Sequence, residues 1–256
     1  MNLPQNPFLA ALRAGRSQIG LWLTLSSSFA AEAIAGAGFD WVLIDMEHSP
    51  NELGDVMAQL QLLAAYDTVP IVRPDWSDPV RVKRLLDLGA SGLLFPMIQN
   101  ADEARRAVAA TRYPPRGIRG VSGMTRANGF GRLGDYFKRV ESETAVLLQV
   151  ETRSALACVE EIAATDGVDG VFFGPADIAA DMGHLGQPLH PEVWTAIMPA
   201  AQALIARGTP VGTLISDPVF ARDLLAKGFL FVACGVDAAL LARGADALLR
   251  AVSAKT

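Results

Sequence analysis

Eight short apolar runs, most of them followed by a helical pattern, constrain the fold of this chain more than any other feature. They are QIGLWLT (18–24), WVLIDME (41–47), VPIVRP (69–74), GLLFPMI (92–98), AVLLQVE (145–151), GVFFGP (170–175), PVGTLI (210–215) and FLFVACG (229–235). Near-continuous apolar strands belong to parallel sheets covered on both faces. The segments between them carry helix signals. Residues 28–37 open on a serine cap and stop near Gly38, and 51–65 follow a Ser-Pro start. Pro79 comes just after Ser77 and Asp78, which fits a cap followed by proline at the first helical position, and Gly89 ends that helix. Further helices are expected at 100–111, 153–165, 191–207, 217–227 and 237–252. Eight strands alternating with helices predict an α/β fold, a single-domain (β/α)8 TIM barrel. The chain length of 256 residues agrees with the ~250 such a barrel needs.

Composition excludes several classes. The formal net charge is −5, with 22 basic and 27 acidic residues well mixed, so no nucleic-acid or membrane partner is expected. The densest basic stretch spreads five arginines from Arg112 to Arg132. It reads equally as a solvated loop or as anion recognition. Cys158 and Cys234 match no metal or disulfide pattern, and a reducing cytoplasm is the default expectation. The N-terminus lacks the apolar stretch of a signal peptide, and no run is long enough to span a bilayer. Two connections, 112–131 and 176–190, are long enough to be functional loops.

In a parallel barrel the active site lies at the C-terminal ends of the strands. The second run ends in Asp45, Glu47 and His48, the third in Arg73, the fifth in Gln149 and Glu151, and the sixth leads into Gly174, Pro175, Ala176 and Asp177. Polar groups ending apolar strands are costly unless paired or bound to something. Glu151 and Asp177, on neighbouring strand ends, offer two carboxylates that suit a hard divalent cation such as Mg2+, Mn2+ or Co2+. The alternative is that each acid pairs with an arginine or caps a helix. His48 is a candidate general base, or else a third metal ligand. Arg73 stabilises a carboxylate or developing oxyanion, or forms a buried salt bridge. The turn Gly174-Pro175-Ala176 offers backbone N–H groups to an anion, although proline contributes none.

Together, GLWLTLSSSFAAEAIAGAGFDWVLIDMEHSPN, VRPDWSDPVRVKRLLDLGA, PMIQNADEARRAVAATRYPPRGIRG, LLQVETR, GVDGVFFGPADIAADMG and FVACGVDAALLARGA cover nearly the whole chain. In them it resembles the class II pyruvate aldolases that act on 4-hydroxy-2-oxoheptane-1,7-dioate and on 2-keto-3-deoxy sugar acids. The resemblance implies a divalent metal on Glu151 and Asp177, with His48 as base and Arg73 stabilising negative charge. It implies substrate contacts at Gln149, Ala176 and Asp177. It also implies an acid at Asp87 close to the histidine, reaching it across a subunit boundary, with Asp45 as the local alternative partner. A homohexamer that exchanges the last helix is implied as well, with keto acid and aldehyde as small-molecule partners.

The chemistry so implied is retro-aldol cleavage to pyruvate and an aldehyde, with the metal as Lewis acid. A Schiff-base aldolase needs a lysine at a strand end, and Lys83, Lys138, Lys227 and Lys255 all fall in expected helices or near the C-terminus. The competing readings are a barrel lyase acting on acyl-CoA thioesters and a non-catalytic barrel that binds small acids. A phosphate-binding isomerase is disfavoured because no Gly-rich turn follows the seventh run.

Overall fold

A computed structural model describes residues 1–253. Eight parallel strands close in sequence order: β1 (Gln18–Leu23), β2 (Trp41–Asp45), β3 (Val69–Arg73), β4 (Gly92–Phe95), β5 (Ala145–Val150), β6 (Gly170–Phe173), β7 (Val211–Leu214) and β8 (Phe231–Val236). Each pairs with the next, and β8 returns to β1. The helices are α1 (Pro7–Arg13), α2 (Ser28–Ala35), α3 (Leu53–Leu63), α4 (Pro79–Leu88), α5 (Ala101–Thr111), α6 (Tyr136–Arg139), α7 (Arg153–Ala157), α8 (Val159–Ala163), α9 (Pro175–Asp181), α10 (Pro191–Ala206), α11 (Pro218–Ala226) and α12 (Asp237–Ser253). The predicted (β/α)8 barrel is the observed fold. No helix among the described residues is long and apolar enough to cross a membrane.

Two apolar layers follow from the two-residue period of the strands. One side of each strand meets the helices and forms the larger core, with Val42, Ile44, Val72, Leu148, Val171 and Phe173. The other side fills the barrel with Trp22, Trp41, Leu43, Ile71, Leu147, Phe172 and Phe231. Helix α1, which the sequence patterns did not reveal, plugs the N-terminal end of the barrel. Its Phe8 stands edge-on to Trp41 and Phe231, with centroids 5.8 and 5.9 Å away. Glycines in the strands make room for this aromatic filling. A Cβ on Gly20 would lie 2.2 Å from the Trp41 ring, and one on Gly212 would lie 2.4 Å from Phe231.

Three expectations need correction. The segment 176–190 is not all loop. Pro175 sets the first turn of α9, and Ile178 and Ala179 are fully buried, so Asp177 rides on a short helix rather than on a free connection. The expected helix 153–165 breaks at Cys158 (φ −118°, ψ 19°), whose Sγ lies 3.1 Å from the Gln99 carbonyl. The arginines of 112–132 mostly bind this chain's own groups: Arg112 and Arg116 both meet the Glu141 carboxylate, while Arg132 stays exposed. Arg112 reaches the carbonyls of Glu141 and Gly167, and Arg126 donates to the Leu88 carbonyl at 2.6 Å. Arg119 is buried against Asp87, 2.8 Å away, and lies over the Tyr113 ring. These side chains tie an irregular loop to the barrel's flank, where free carbonyls need donors.

Candidate active site

The inward period that fills the barrel with apolar side chains continues past the strand ends and becomes polar there. Trp41 and Leu43 are followed by Asp45 and Glu47, Ile71 by Arg73, and Leu147 by Gln149 and Glu151. Asp45 and Arg73 are directly paired in the β2–β3 register. Arg73 Nε and Nη2 donate to the two Asp45 oxygens at 2.8 and 2.7 Å. Its Nη1 lies 2.8 Å from Glu47 Oε2, off the line of a hydrogen bond, so that this oxygen is buried without one. The guanidinium also sits over the Trp22 ring, 5.5 Å from its centroid. Burial opposes the charge of Arg73, but Asp45 and Glu47 more than offset it, so the group stays protonated.

Glu151 stands one residue beyond β5. It accepts a 2.5 Å hydrogen bond from Gln149 Nε2 and a 2.9 Å bond from the Met97 backbone N–H. Met97 has a positive φ of 54°. This uncommon conformation for a side-chain-bearing residue accompanies the turn of its N–H toward Glu151. Gln149 Oε1 is buried without a partner. Burial, with the nearby charges of Asp177 and Glu47, pushes the Glu151 carboxyl up to about 8. Glu47 is raised too, by burial first and by Asp45 and Asp177 in part. The charges of Glu47 and Asp177 thus bear on the buried Glu151, and the Arg73 guanidinium beside Glu47 is bonded to Asp45.

The backbone beside Glu151 is shaped to admit it. A Cβ on Gly174 would lie 2.6 Å from Glu151 Oε1 and 2.8 Å from its Cγ. Gly174 therefore gives room to the acid, a role its sequence position did not reveal. A Gly174→Ala variant is expected to lose about 1–3 kcal/mol of stability through overpacking and to show a displaced Glu151 carboxylate. Denaturant titration and a crystal structure of the variant check both. An unmoved Glu151 with unchanged stability contradicts the cradle.

Asp177 lies in the first turn of α9 and is exposed, as is Ala176. The N–H groups of this turn have no acceptor within the helix. His48 is exposed, and its Nε2 lies 3.9 Å from Glu47 Oε2. Both Asp45 oxygens are engaged by Arg73, so Glu47, not Asp45, is the acid beside His48. Asp87 lies in the last turn of α4, where Arg119 holds it at 2.8 Å. It is thus set apart from the mouth of its own barrel. The strand-end reading set Glu47 only as one of two acids before His48 and gave no role to the Met97 N–H. The Asp45/Glu47 spacing of two residues was a usable signal for the first. A backbone donor leaves none.

A closed parallel barrel with polar residues from β2, β3, β5 and β6 converging at its mouth defines a barrel enzyme for small polar substrates. Residues 18–244 match the profile described as HpcH/HpaI aldolase/citrate lyase. A protein named 4-hydroxy-2-oxo-heptane-1,7-dioate aldolase from Salmonella dublin is 55% identical over 245 residues, 95% of this chain and 93% of that one. The crystal structure of an HpcH/HpaI aldolase/citrate lyase family protein from Burkholderia cenocepacia J2315 shares 43% identity. It has a TM-score of 0.93 and covers 97% of this chain and 99% of the other. An HpcH/HpaI aldolase from Desulfitobacterium hafniense DCB-2 is 27% identical with a TM-score of 0.90, over 96% of each chain. The chain belongs to the HpcH/HpaI aldolase/citrate lyase family. It is an enzyme, a carbon–carbon lyase of the aldolase type, which sets aside the non-catalytic binding barrel.

Proposed function

We propose that this chain is a class II pyruvate aldolase that reversibly cleaves 4-hydroxy-2-keto acids to pyruvate, or a substituted pyruvate, and an aldehyde. The substrate of its named relatives, 4-hydroxy-2-oxoheptane-1,7-dioate, is the first compound to test. The observation that carries the reading is the buried Glu151 carboxyl at the strand end, held by Gln149 and the Met97 N–H and pushed up to about 8 by burial and by the charges of Asp177 and Glu47. Like charges brought together in a buried site are stable only when protonated or when a cation joins them.

The donor set fits such a cation. Glu151 and Asp177 are the ligands we assign, because carboxylate oxygens suit Mg2+, Mn2+ and Co2+. When bound, a divalent ion supplies Lewis acidity at the keto oxygen of the substrate. The protein's own groups do the rest. Arg73, held in one orientation by Asp45, presents positive charge toward the oxygen on which negative charge develops. Such a donor contributes on the order of 3 kcal/mol to a rate. Gln149, with its free Oε1, and the first-turn N–H groups of Ala176 and Asp177 orient the small acid. His48, exposed at the rim with Glu47 beside it, takes the proton of the C4 hydroxyl as the carbon–carbon bond breaks. Lysine chemistry has no support. Lys83, Lys138 and Lys227 lie in or at the end of outer helices, and Lys255 lies outside the described residues.

The oligomer is part of the same proposal. Helix α12 leaves Leu240, Leu241, Leu248, Leu249 and Val252 exposed, an apolar stripe that another copy in a homohexamer would cover. Such packing would also let Asp87 meet a neighbour's mouth.

The test is release of pyruvate from a panel of 4-hydroxy-2-keto acids, after chelation and after return of Mg2+, Mn2+ or Co2+. Activity is expected to vanish on chelation and return with metal. Turnover that survives thorough metal removal contradicts the assignment. Cleavage of acyl-CoA thioesters in place of keto acids would favour the family's other chemistry.

A further inference from the structure

The connection from α9 to α10 carries the chain's remaining two histidines, and the fold brings them together. His184 follows the end of α9, where its backbone N–H donates to the Ala179 carbonyl at 2.7 Å. His190 is the N-cap of α10. The two imidazoles stack with centroids 3.7 Å apart and planes 14° from parallel. Glu192, in the first turn of α10, places Oε2 3.0 Å from His184 Nε2. One potential ligand atom from each of the three residues lies within 4.8 Å of the others. Among the described residues, Glu192 has no ion-pair partner other than His184.

We infer that His184, His190 and Glu192 form a second metal site, separate from the mouth, for a borderline divalent cation such as Zn2+, Ni2+ or Cu2+. The ligand chemistry distinguishes the two sites. The mouth offers carboxylate oxygens, which hard ions prefer, whereas two imidazoles and one carboxylate are the donors that zinc and its neighbours take. The spacing is suitable too. Ligands held at about 2.0–2.2 Å from one tetrahedral ion lie about 3.4 Å from each other, and His184 and Glu192 stand near that separation, at 3.0 Å. The third donor must approach by roughly an ångström or two, and the stacked rings must turn so that a nitrogen lone pair of each points at the ion; both imidazoles are half-buried and Glu192 is exposed, so side-chain rotation has room.

The proton balance is simple. The Glu192 N–H donates to His190 Nδ1 at 3.3 Å, so a neutral His190 ring carries its proton on Nε2. Metal binding at Nε2 moves that proton to Nδ1 and gives up this long bond. His184 exchanges its Nε2–H···Oε2 hydrogen bond for a shared ion in the same way. A bound ion ties the far end of the helix that carries Asp177 to the first turn of α10.

The experiment is a Zn2+ titration by calorimetry on tag-free, metal-stripped enzyme. It compares wild type, a Glu151→Gln variant and a His184→Ala/His190→Asn double variant, in which asparagine retains a capping side chain. Glu151→Gln is expected to keep one Zn2+ equivalent. The double variant should bind that equivalent roughly tenfold or more weakly and retain its Mg2+-dependent activity. Histidine ring nitrogen NMR of the wild type provides a readout that needs no variant to fold, since Zn2+ should shift Nε2 of both His184 and His190. Unchanged ring signals, or equal Zn2+ stoichiometry and affinity in wild type and double variant, overturn the site. Neither outcome touches the aldolase assignment, which rests on the mouth.

Discussion

A Glu151→Gln variant is expected to lose roughly a thousandfold or more in turnover, and with it the response to added Mg2+, Mn2+ or Co2+. The same substitution should leave the metal-free protein as stable as wild type or more so. The sign follows from the buried carboxyl. Glu151 is pushed up to about 8 by burial and by Asp177 and Glu47, above its ordinary value of 4.5. An acid raised on folding opposes folding at every pH above its unfolded value, increasingly so until the folded value is passed. Near neutral pH, glutamine removes that opposition, a gain on the order of a few kcal/mol at most. The hydrogen bonds can be kept. A glutamine carbonyl still accepts from the Met97 N–H, and Gln149 can turn its amide so that the unpartnered Oε1 accepts from the new side chain. Steady-state kinetics across a metal series, beside thermal unfolding in chelator, check both halves. A variant that is destabilised yet fully metal-responsive contradicts the reading.

Replacing His48 by alanine should separate chemistry from binding. The side chain is exposed and packs into neither core, so stability should change by no more than about 0.5 kcal/mol. Metal affinity and pyruvate affinity should hold, while kcat for cleavage falls by about 10²–10⁴-fold, the usual contribution of a positioned acid or base. A fall confined to KM assigns His48 to substrate binding. Loss of metal affinity instead makes it the third ligand.

The barrel was legible because its strands are read one by one: each is a short apolar run closed by turn residues, and eight of them in one direction have few ways to pack. Helix α1 was not legible, because Phe8, Leu9 and Leu12 face the barrel floor and nothing in PFLAALR says where that face docks. The break at Cys158 and the short helix after Gly174 were missed for a related reason. Each is decided by tertiary contacts, the Gln99 carbonyl in one case and burial of Ile178 in the other, rather than by local pattern. At the site, Arg73, Gln149 and Glu151 were visible as polar residues where an apolar strand stops. Asp45 was visible too, but its partner was not. Which group takes a carboxylate depends on register, and the β2–β3 register gives both Asp45 oxygens to Arg73 and leaves Glu47 between the Arg73 guanidinium and His48. Gly174 was visible as part of a donor turn, but not as the place where a missing side chain leaves room for Glu151.

In the proposed mechanism Glu151 and Asp177 together hold a divalent ion at the mouth of the barrel. Titrating Mn2+ into the metal-free enzyme while following the spin resonance of the free ion tests it most directly. One Mn2+ bound per chain is expected in the wild type, and binding weakened at least about a hundredfold in both Glu151→Gln and Asp177→Asn. Tight Mn2+ binding that survives in either variant would contradict it.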